Sequence, residues 1–419
     1  MAKMRVAVAM SGGVDSSVAC LLLVRAGYDV VGLTMKLLSN VSYADGPDGG
    51  GPAPCCTVDT ARDAAAVCHR LGVPHYTINL VEEFEEGVIG PFVKDYAEAR
   101  TPNPCLLCNS VMKFGHLLRK AREIGAEYVA TGHYVRAARK KDALGGLEAG
   151  GGESSGPWVE NHVYAMCASE AADAGDADEA PAYLLRGVDK SKDQSYALYG
   201  LTQDMLRHSM FPLGGLTKKE VRAIAREAGL VTAERPESQE ICFVTRAGYR
   251  EFLERRGVTG RPGNIEDTSG RVVGRHLGLP FYTVGQRRGV GAQAGKPVYV
   301  VALDVERNVV VVGSREEAHS AGCYIEDLNV ISGNHPDGPV SGTCMVRYRG
   351  TEVDAVMRPV HGEQSERDVA RRALVDFARP LFAVTPGQAL VFYQGEVVYG
   401  GGIISRPVKQ SGRELLPQS

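Results

Sequence analysis

Ser11-Gly12-Gly13-Val14-Asp15-Ser16-Ser17 lies between a short apolar run, Arg5 to Met10 (RVAVAM), and an apolar-periodic stretch that runs from Asp15 to Ala26 and stops at Gly27. The first run predicts a strand, and the second predicts a helix with a glycine past its C-terminal end. The two glycines let the backbone turn tightly and expose consecutive N–H groups. Ser16 and Ser17 fall at the helix N-terminus, where unpaired amides and the helix dipole favour an anion. The pattern is that of a phosphate cradle. It is not a Walker A loop, because no Lys follows the last Gly, and it is not GxGxxG. A plain capped turn could use the same residues, but the full string directly after a first strand is far more specific than a loose Gly/Ser turn.

Outward from this turn, strand and helix patterns alternate. Residues 29–35, 74–80 and 127–134 read as strands, and residues 57–71, 81–97 and 111–124 as helices. Such alternation predicts a parallel sheet wrapped on both faces, with ligands beyond the carboxyl ends of its strands. Residues 216–228 read as a further helix, with Thr217 as N-cap and Glu220 placed for a capping box. After about residue 282 the pattern changes to short β-like runs at 298–304, 309–313, 343–349, and 389–393 with 397–401. The last two form a hairpin turning near Gln394-Gly395, and the set predicts a small barrel. One helix, at 366–377, interrupts it. Segments 41–54 and 138–181 are rich in Gly, Ala, Asp and Glu and read as inserted flexible loops.

The expected fold is therefore α/β. A doubly wound parallel sheet occupies residues 1–209, a small basic α+β domain 210–284, an antiparallel β-barrel 285–408, and a tail 409–419.

Composition narrows the classes further. Of 419 residues, 44% are hydrophobic and 23% charged, as in ordinary globular proteins. No apolar run reaches the roughly 18 to 20 residues of a membrane helix, and residues 1–10 carry no signal-peptide pattern. The expectation is a cytoplasmic protein with no membrane partner. Ten Cys are too sparse for a disulfide scaffold. The net charge of −3 hides a segregation: residues 141–182 hold nine acids and one base, whereas residues 206–288 hold fifteen Lys or Arg against nine Asp or Glu. The basic tract could attract a polyanion, or it could be a solvated surface.

Three cysteines stand out. Cys105 and Cys108 form a CxxC in TPNPCLLCN (residues 101–109), just before a predicted helix whose dipole would favour a thiolate. Cys242 lies in ESQEICF (residues 237–243), within the basic tract. A zinc knuckle needs four ligands, and there is no second CxxC. Three thiolates with an open fourth position would instead suit a [4Fe–4S] cluster. Cys20, Cys68, Cys167, Cys323 and Cys344 read as packing residues, and the adjacent Cys55-Cys56 reads the same way or as a metal or redox pair.

The string SGGVDS resembles the PP-loop of ATP pyrophosphatases, which cleave ATP between the α- and β-phosphates and adenylate a carbonyl oxygen. The whole chain is similar to the tRNA-specific 2-thiouridylases, the MnmA family. The matching strings include ATGHYVR (130–136), KDQSY (192–196), ICF (241–243), VGQRRG (284–289) and RYR (347–349), and they run from residue 6 to about residue 404. The resemblance implies a tRNA-uridine 2-sulfurtransferase: ATP-dependent thiolation of C2 of the wobble uridine, with Mg2+, tRNA and a sulfur-relay protein or cysteine desulfurase as partners. It assigns ATP to Ala9, Met10, Ser11, Gly12, Gly13, Val14, Asp15, Ser16, Met35 and Gly132. Cys108 would be the nucleophile, and Cys242 would carry a persulfide. Asn103, Pro104 and Cys105 would face the target base. His133, Lys192, Asp193, Gln194, Arg347, Tyr348 and Gln388 would contact tRNA.

One position departs from the family pattern: the residue expected at 105 is Asp, and this chain has Cys. That change completes a three-thiol set of Cys105, Cys108 and Cys242. A [4Fe–4S] cluster on these residues is therefore an alternative to the persulfide. A small-molecule PP-loop ligase, or a non-enzymatic metal- or ATP-binding module, is a remoter alternative.

Overall fold

The computed structural model describes residues 3–39, 58–139, 181–236, 241–244, 248–290, 297–360 and 371–409. Segment 41–54, most of segment 138–181, Cys55, Cys56, Cys167 and residues 237–240 lie outside them.

The phosphate-loop strand is the centre of a parallel sheet. β1 (Arg5–Ala9) pairs in parallel with β2 (Asp29–Lys36) and with β4 (Tyr128–Ala130), while β3 (His75–Asn79) and β7 (Ser209–Met210) complete the order β3-β2-β1-β4-β7. A central parallel strand is covered on both faces, so it can be apolar throughout. β1 obeys this: Val6, Ala7 and Val8 are wholly buried. Their alternation sends them to different cores. Val6 and Val8 join a cluster with helix α1 (Val14–Arg25) and helix α2 (Val58–Arg70), and Ala7 joins a second cluster on the other face. The helix Lys218–Glu227 packs on the first face through Val221 and Ala225. The helix Tyr249–Arg255 packs on the second through Leu253. Both lie in the tract expected to form a separate basic domain.

Two further β units follow. β8 (Gly263–Asp267), β9 (Val272–His276), β10 (Tyr299–Asp304) and β11 (Val309–Gly313) form a four-stranded sheet in the order β10-β11-β8-β9. β10 and β11, read above with the barrel, thus pair with each other and with β8. The barrel proper is built from β12 (His319–Val330), β13 (Val340–Met345), β14 (Val353–Val360), β15 (Arg372–Phe382), β16 (Ala389–Gln394) and β17 (Val397–Val408). Its order is β12-β15-β14-β13-β16-β17, and antiparallel pairing of β12 with β17 closes it. The expected hairpin at 389–401 is present, with Gly395 at φ 59° in its turn.

Two sequence expectations are corrected. The helix expected at 366–377 is strand β15 from Arg372 onward, with residues 366–370 outside the described residues. Ala373, Val375 and Phe377 alternate inward while the strand pairs with β12 and β14, so the apolar positions follow a period of two and not a helical one. Of the strand read over 127–134 only β4 forms, ending at Ala130; residues 131–134 are not strand, and a separate strand, β5 (Val135–Arg139), begins a hairpin with β6 (Ala182–Arg186). This hairpin brackets the long acidic insertion and joins the barrel through Leu185 against Val397. Residues 138 and 139 are therefore strand and not loop.

Candidate functional site

The phosphate loop is held by its own side chains and by a close approach that only glycine permits. Gly12 has φ 70°, and a Cβ there would stand 2.2 Å from the Thr60 carbonyl oxygen. Gly13 is the N-cap of α1 and leaves that terminus without a side-chain cap, so the first amides of a twelve-residue helix stay available to an anion. The serines brace the turn: Ser11 N–H donates to Ser16 Oγ at 3.2 Å, and Ser16 and Ser17 hydroxyls donate to Gly13 O at 3.1 and 2.8 Å. Gly132, just past β4, would place a Cβ 2.8 Å from Ser16 N, so any larger residue there would fill the space over the helix start.

Two cations that sequence reasoning gave no role close on this loop. Lys218 Nζ donates to both carboxylate oxygens of Asp15, at 2.7 and 2.8 Å, and Tyr134 Oη donates to Oδ1 at 2.7 Å. Arg235 Nη1 donates to Gly12 O at 3.1 Å and pairs with Asp63. The available signal was the capping box at Thr217 and Glu220, which fixes where Lys218 stands. The box is present, with Thr217 N–H donating to Glu220 Oε2 at 2.7 Å.

The thiols lie across the second face of the sheet. Asn103 caps a short helix, Pro104–Leu107, by accepting from Cys105 N–H at 3.1 Å. From Cys108 to His116 the helix is wound with i→i+5 bonds, a rare form that is frequent at functional sites. Cys105 is exposed, and Cys108 and Cys242 are half-buried. Cys108 and Cys242 pack against one apolar cluster, which Ala9 also abuts and to which Met35 belongs. Phe243 anchors the ICF segment in that cluster, edge-on to Phe84 at 5.9 Å and to Phe92 at 5.1 Å between ring centroids.

The remaining described cysteines behave as packing residues. The buried pair Cys20 and Cys68 share a hydrogen bond that pushes Cys20 up and Cys68 down, while burial pushes Cys323 far up and Cys344 up to about 12. Thiols held protonated in this way are inert. Among the described residues no group of three or more His, Cys, Asp or Glu side chains is placed to hold a metal ion.

The loop carrying the CxxC is docked on the barrel. Thr101 N–H donates to Pro386 O at 2.9 Å, Gln388 Nε2 donates to Thr101 O at 2.8 Å, and Thr101 Oγ1 bonds Thr283 Oγ1 at 3.2 Å. Gly387, at φ 90°, would carry a Cβ 2.7 Å from Thr101 N.

The residues expected at tRNA fall into two kinds. Arg347 and Tyr348 are exposed at the barrel surface, with Tyr348 37% accessible. His133, Asp193, Gln194 and Gln388 are engaged internally, and Lys192 is half-buried. Asp193 Oδ1 accepts from Gly187 and Ser195 amides at 3.0 and 3.1 Å, and Gln194 Oε1 accepts from Tyr134 N–H at 2.9 Å. His133 is buried, bonded to Thr131 Oγ1 at 2.8 Å with Lys113 Nζ 3.4 Å from its other nitrogen. Burial first, and the Lys113 charge second, hold its pKa well below the usual imidazole range. Lys113 in turn donates to Asn109 Oδ1 at 2.9 Å. Within the basic tract, Arg226, Arg250, Arg255, Arg256 and Arg271 are paired with Glu234, Glu254, Glu251, Glu85 and Asp267, which mutes its field.

Comparison with known proteins covers the whole described fold. The family model described as tRNA methyl transferase HUP domain matches residues 4–155 and 157–246. The tRNA methyl transferase PRC-barrel domain matches 250–314, and the aminomethyltransferase beta-barrel domain matches 320–404. The chain is 44% identical over 399 residues to the tRNA-specific 2-thiouridylase MnmA of Moorella thermoacetica, covering 95% of this chain and 98% of that one. It is 43% identical to the protein of the same name from Carboxydothermus hydrogenoformans (96% and 98% covered) and 44% identical to that from Roseiflexus castenholzii (96% and 99% covered). Among solved structures, NMN synthetase from Francisella tularensis aligns at TM-score 0.28 and 13% identity over 61% of this chain and 77% of that one, too distant to bear on function. No helix among the described residues is long and apolar enough to cross a membrane.

Proposed function

The chain belongs to the tRNA-specific 2-thiouridylase family, an ATP-using family of tRNA sulfurtransferases, and on that premise we propose that it thiolates C2 of a wobble uridine through an adenylated base and a persulfide on Cys242. The observation that carries the proposal is the shared apolar cluster, which Cys108 and Cys242 both abut together with Ala9, at the end of the phosphate-loop strand.

The chemistry follows from leaving-group ability. A uracil carbonyl oxygen leaves poorly and AMP leaves well. ATP lies with its phosphates against the amides at the start of α1. The uridine O2 attacks the α-phosphorus, pyrophosphate departs, and C2 becomes electrophilic. Asn103 and Pro104 orient the base, and Cys105, where the family expects an acid, lies beside it. The terminal sulfur of the Cys242 persulfide attacks C2, and AMP leaves with the O2 oxygen. The Cys108 thiolate then attacks the Cys242 sulfur, breaking the S–S bond. The electron pair stays on the sulfur now attached to C2, giving 2-thiouridine and a Cys108–Cys242 disulfide. This is ordinary thiol–disulfide exchange. Two thiol equivalents reduce the disulfide, themselves becoming a disulfide, and a donor persulfide from a relay protein or desulfurase then passes its terminal sulfur to the Cys242 thiolate and leaves as a thiolate.

Mg2+ keeps several waters and is usually bound through substrate phosphates. Asp15 is the one carboxylate in the loop and is already paired with Lys218, so any Mg2+ would arrive with the triphosphate. Arg347, Tyr348 and Lys192 supply the outer tRNA contacts. His133, Asp193 and Gln194 support tRNA binding by shaping the loops that meet it, and Gln388 braces the loop that faces the base.

The test is a pair of assays on Cys242→Ser with ATP and unmodified tRNA. The proposal expects AMP and pyrophosphate to form while no 2-thiouridine appears. ADP as the product, or thiolation by the variant, would refute it.

A further inference from the structure

The loop reading leaves one charge unexplained. A carboxylate at the second residue of α1 repels the phosphates that the loop amides attract. Asp15 is nevertheless there, 31% exposed, and Lys218, 11% exposed, neutralises it. Lys218 is not placed by chance. It is the first residue of its helix, its backbone N–H donates to Asp189 Oδ2 at 3.0 Å, and the Thr217–Glu220 capping box fixes the helix start. Tyr134 bonds the same Asp15 oxygen through its hydroxyl and lies with its ring centroid 5.7 Å from the ammonium. A nearly buried lysine thus stands at the mouth of the phosphate cradle on a rigid mount.

We propose that Lys218 is a phosphate-binding residue, whose ammonium moves from Asp15 to the β- and γ-phosphates of ATP when nucleotide enters and stays with pyrophosphate as it leaves. Lysine suits this exchange, because its ammonium is a compact point charge on a flexible stem. Asp15 acts as a placeholder that keeps the ammonium aimed at the loop while the site is empty. The phosphates, more highly charged than one carboxylate, take the ammonium from it. The proposal deepens the ATP reading of residues 11–17 and rests on it.

Calorimetric binding of inorganic pyrophosphate and of ATP to the full chain tests it. Wild type should bind both. Lys218→Met should weaken pyrophosphate at least about tenfold, and Lys218→Arg should retain most of the affinity. Asp15→Asn should tighten pyrophosphate, because the ammonium no longer has a competing partner. If the pair is merely structural, Asp15→Asn and Lys218→Met would weaken binding alike. That result, or unchanged affinity in Lys218→Met, overturns the assignment while leaving the ATP site standing. Absence of any binding by folded wild type overturns the ATP reading and this inference with it. Should Lys218→Met fail to fold, the opposite signs expected for Asp15→Asn and for a structural pair still decide the matter.

Discussion

The phosphate loop and the ICF segment are built on different principles. The loop between β1 and α1 is fixed by backbone geometry: a left-handed glycine against a carbonyl, serine hydroxyls on the Gly13 carbonyl, and an arginine on the Gly12 carbonyl. The ICF segment is held by side-chain packing: Phe243 is pressed among Phe84, Phe92 and Phe252, and Ile241, Cys242 and Val244 lie against the same cluster. A site that must present amides to phosphate benefits from a preformed backbone. On the proposed reading, Cys242 takes sulfur from a donor and delivers it to a base, a task suited to support by side-chain packing rather than by a fixed backbone.

The contrast can be broken from either side. The largest effect is expected at the carrier itself: Cys242→Ser should abolish 2-thiouridine formation, measured by nucleoside mass spectrometry, while ATP binding measured by calorimetry is unchanged. Next comes Phe243→Ala. Removing a buried phenylalanine costs about 3–5 kcal/mol where the site cannot collapse. Because the anchor is local, sulfur transfer in single-turnover assays should slow far more than pyrophosphate release does. Equal slowing of both steps would show that the two regions are not separately supported. Gly12→Ala should do the reverse. A positive-φ alanine costs about 1–3 kcal/mol, and its Cβ would collide with the Thr60 carbonyl. Adenylation should therefore fall roughly ten- to hundredfold with loading of the Cys242 persulfide untouched.

A smaller effect is expected at Gln388. Losing its bond to the Thr101 carbonyl should cost about 1 kcal/mol. It should lower the adenylation rate at saturating tRNA and leave tRNA affinity nearly unchanged, because Gln388 braces the loop that faces the base.

The smallest is a pH effect on stability. His133 is buried with its pKa held below that of the unfolded chain. Between those two values the unfolded chain binds a proton that the folded one does not, so stability rises with pH across that window. His133 therefore contributes fully above about pH 6.5, and its contribution is lost as pH falls below that value. The thermal midpoint of wild type should drop more steeply from pH 7 to pH 5.5 than that of His133→Gln.

Legibility in the sequence follows the same division. The phosphate loop could be read because its chemistry is local: two glycines and two serines next to one strand and one helix dictate the turn. The capping box at Thr217 and Glu220 and the hairpin turn at Gly395 were readable for the same reason. Strand β15 was not, because Ala373, Val375 and Phe377 find their partners only when β12 and β14 arrive from elsewhere in the chain. The bonds from Lys218 to Asp15 and from Gln388 to Thr101 span 203 and 287 residues, and no local pattern encodes such pairs. Cys108 and Cys242 stand out in the sequence through the CxxC and the basic tract, and the resemblance gives their roles; their common packing on one cluster is a tertiary fact.

The most direct test of the central claim is peptide mapping under non-reducing conditions after a single turnover with persulfide-loaded protein, ATP and unmodified tRNA. The account predicts a Cys108–Cys242 linked peptide pair in amounts equal to the 2-thiouridine formed. Product without that pair, or with a link through Cys105 in place of Cys108, would contradict it.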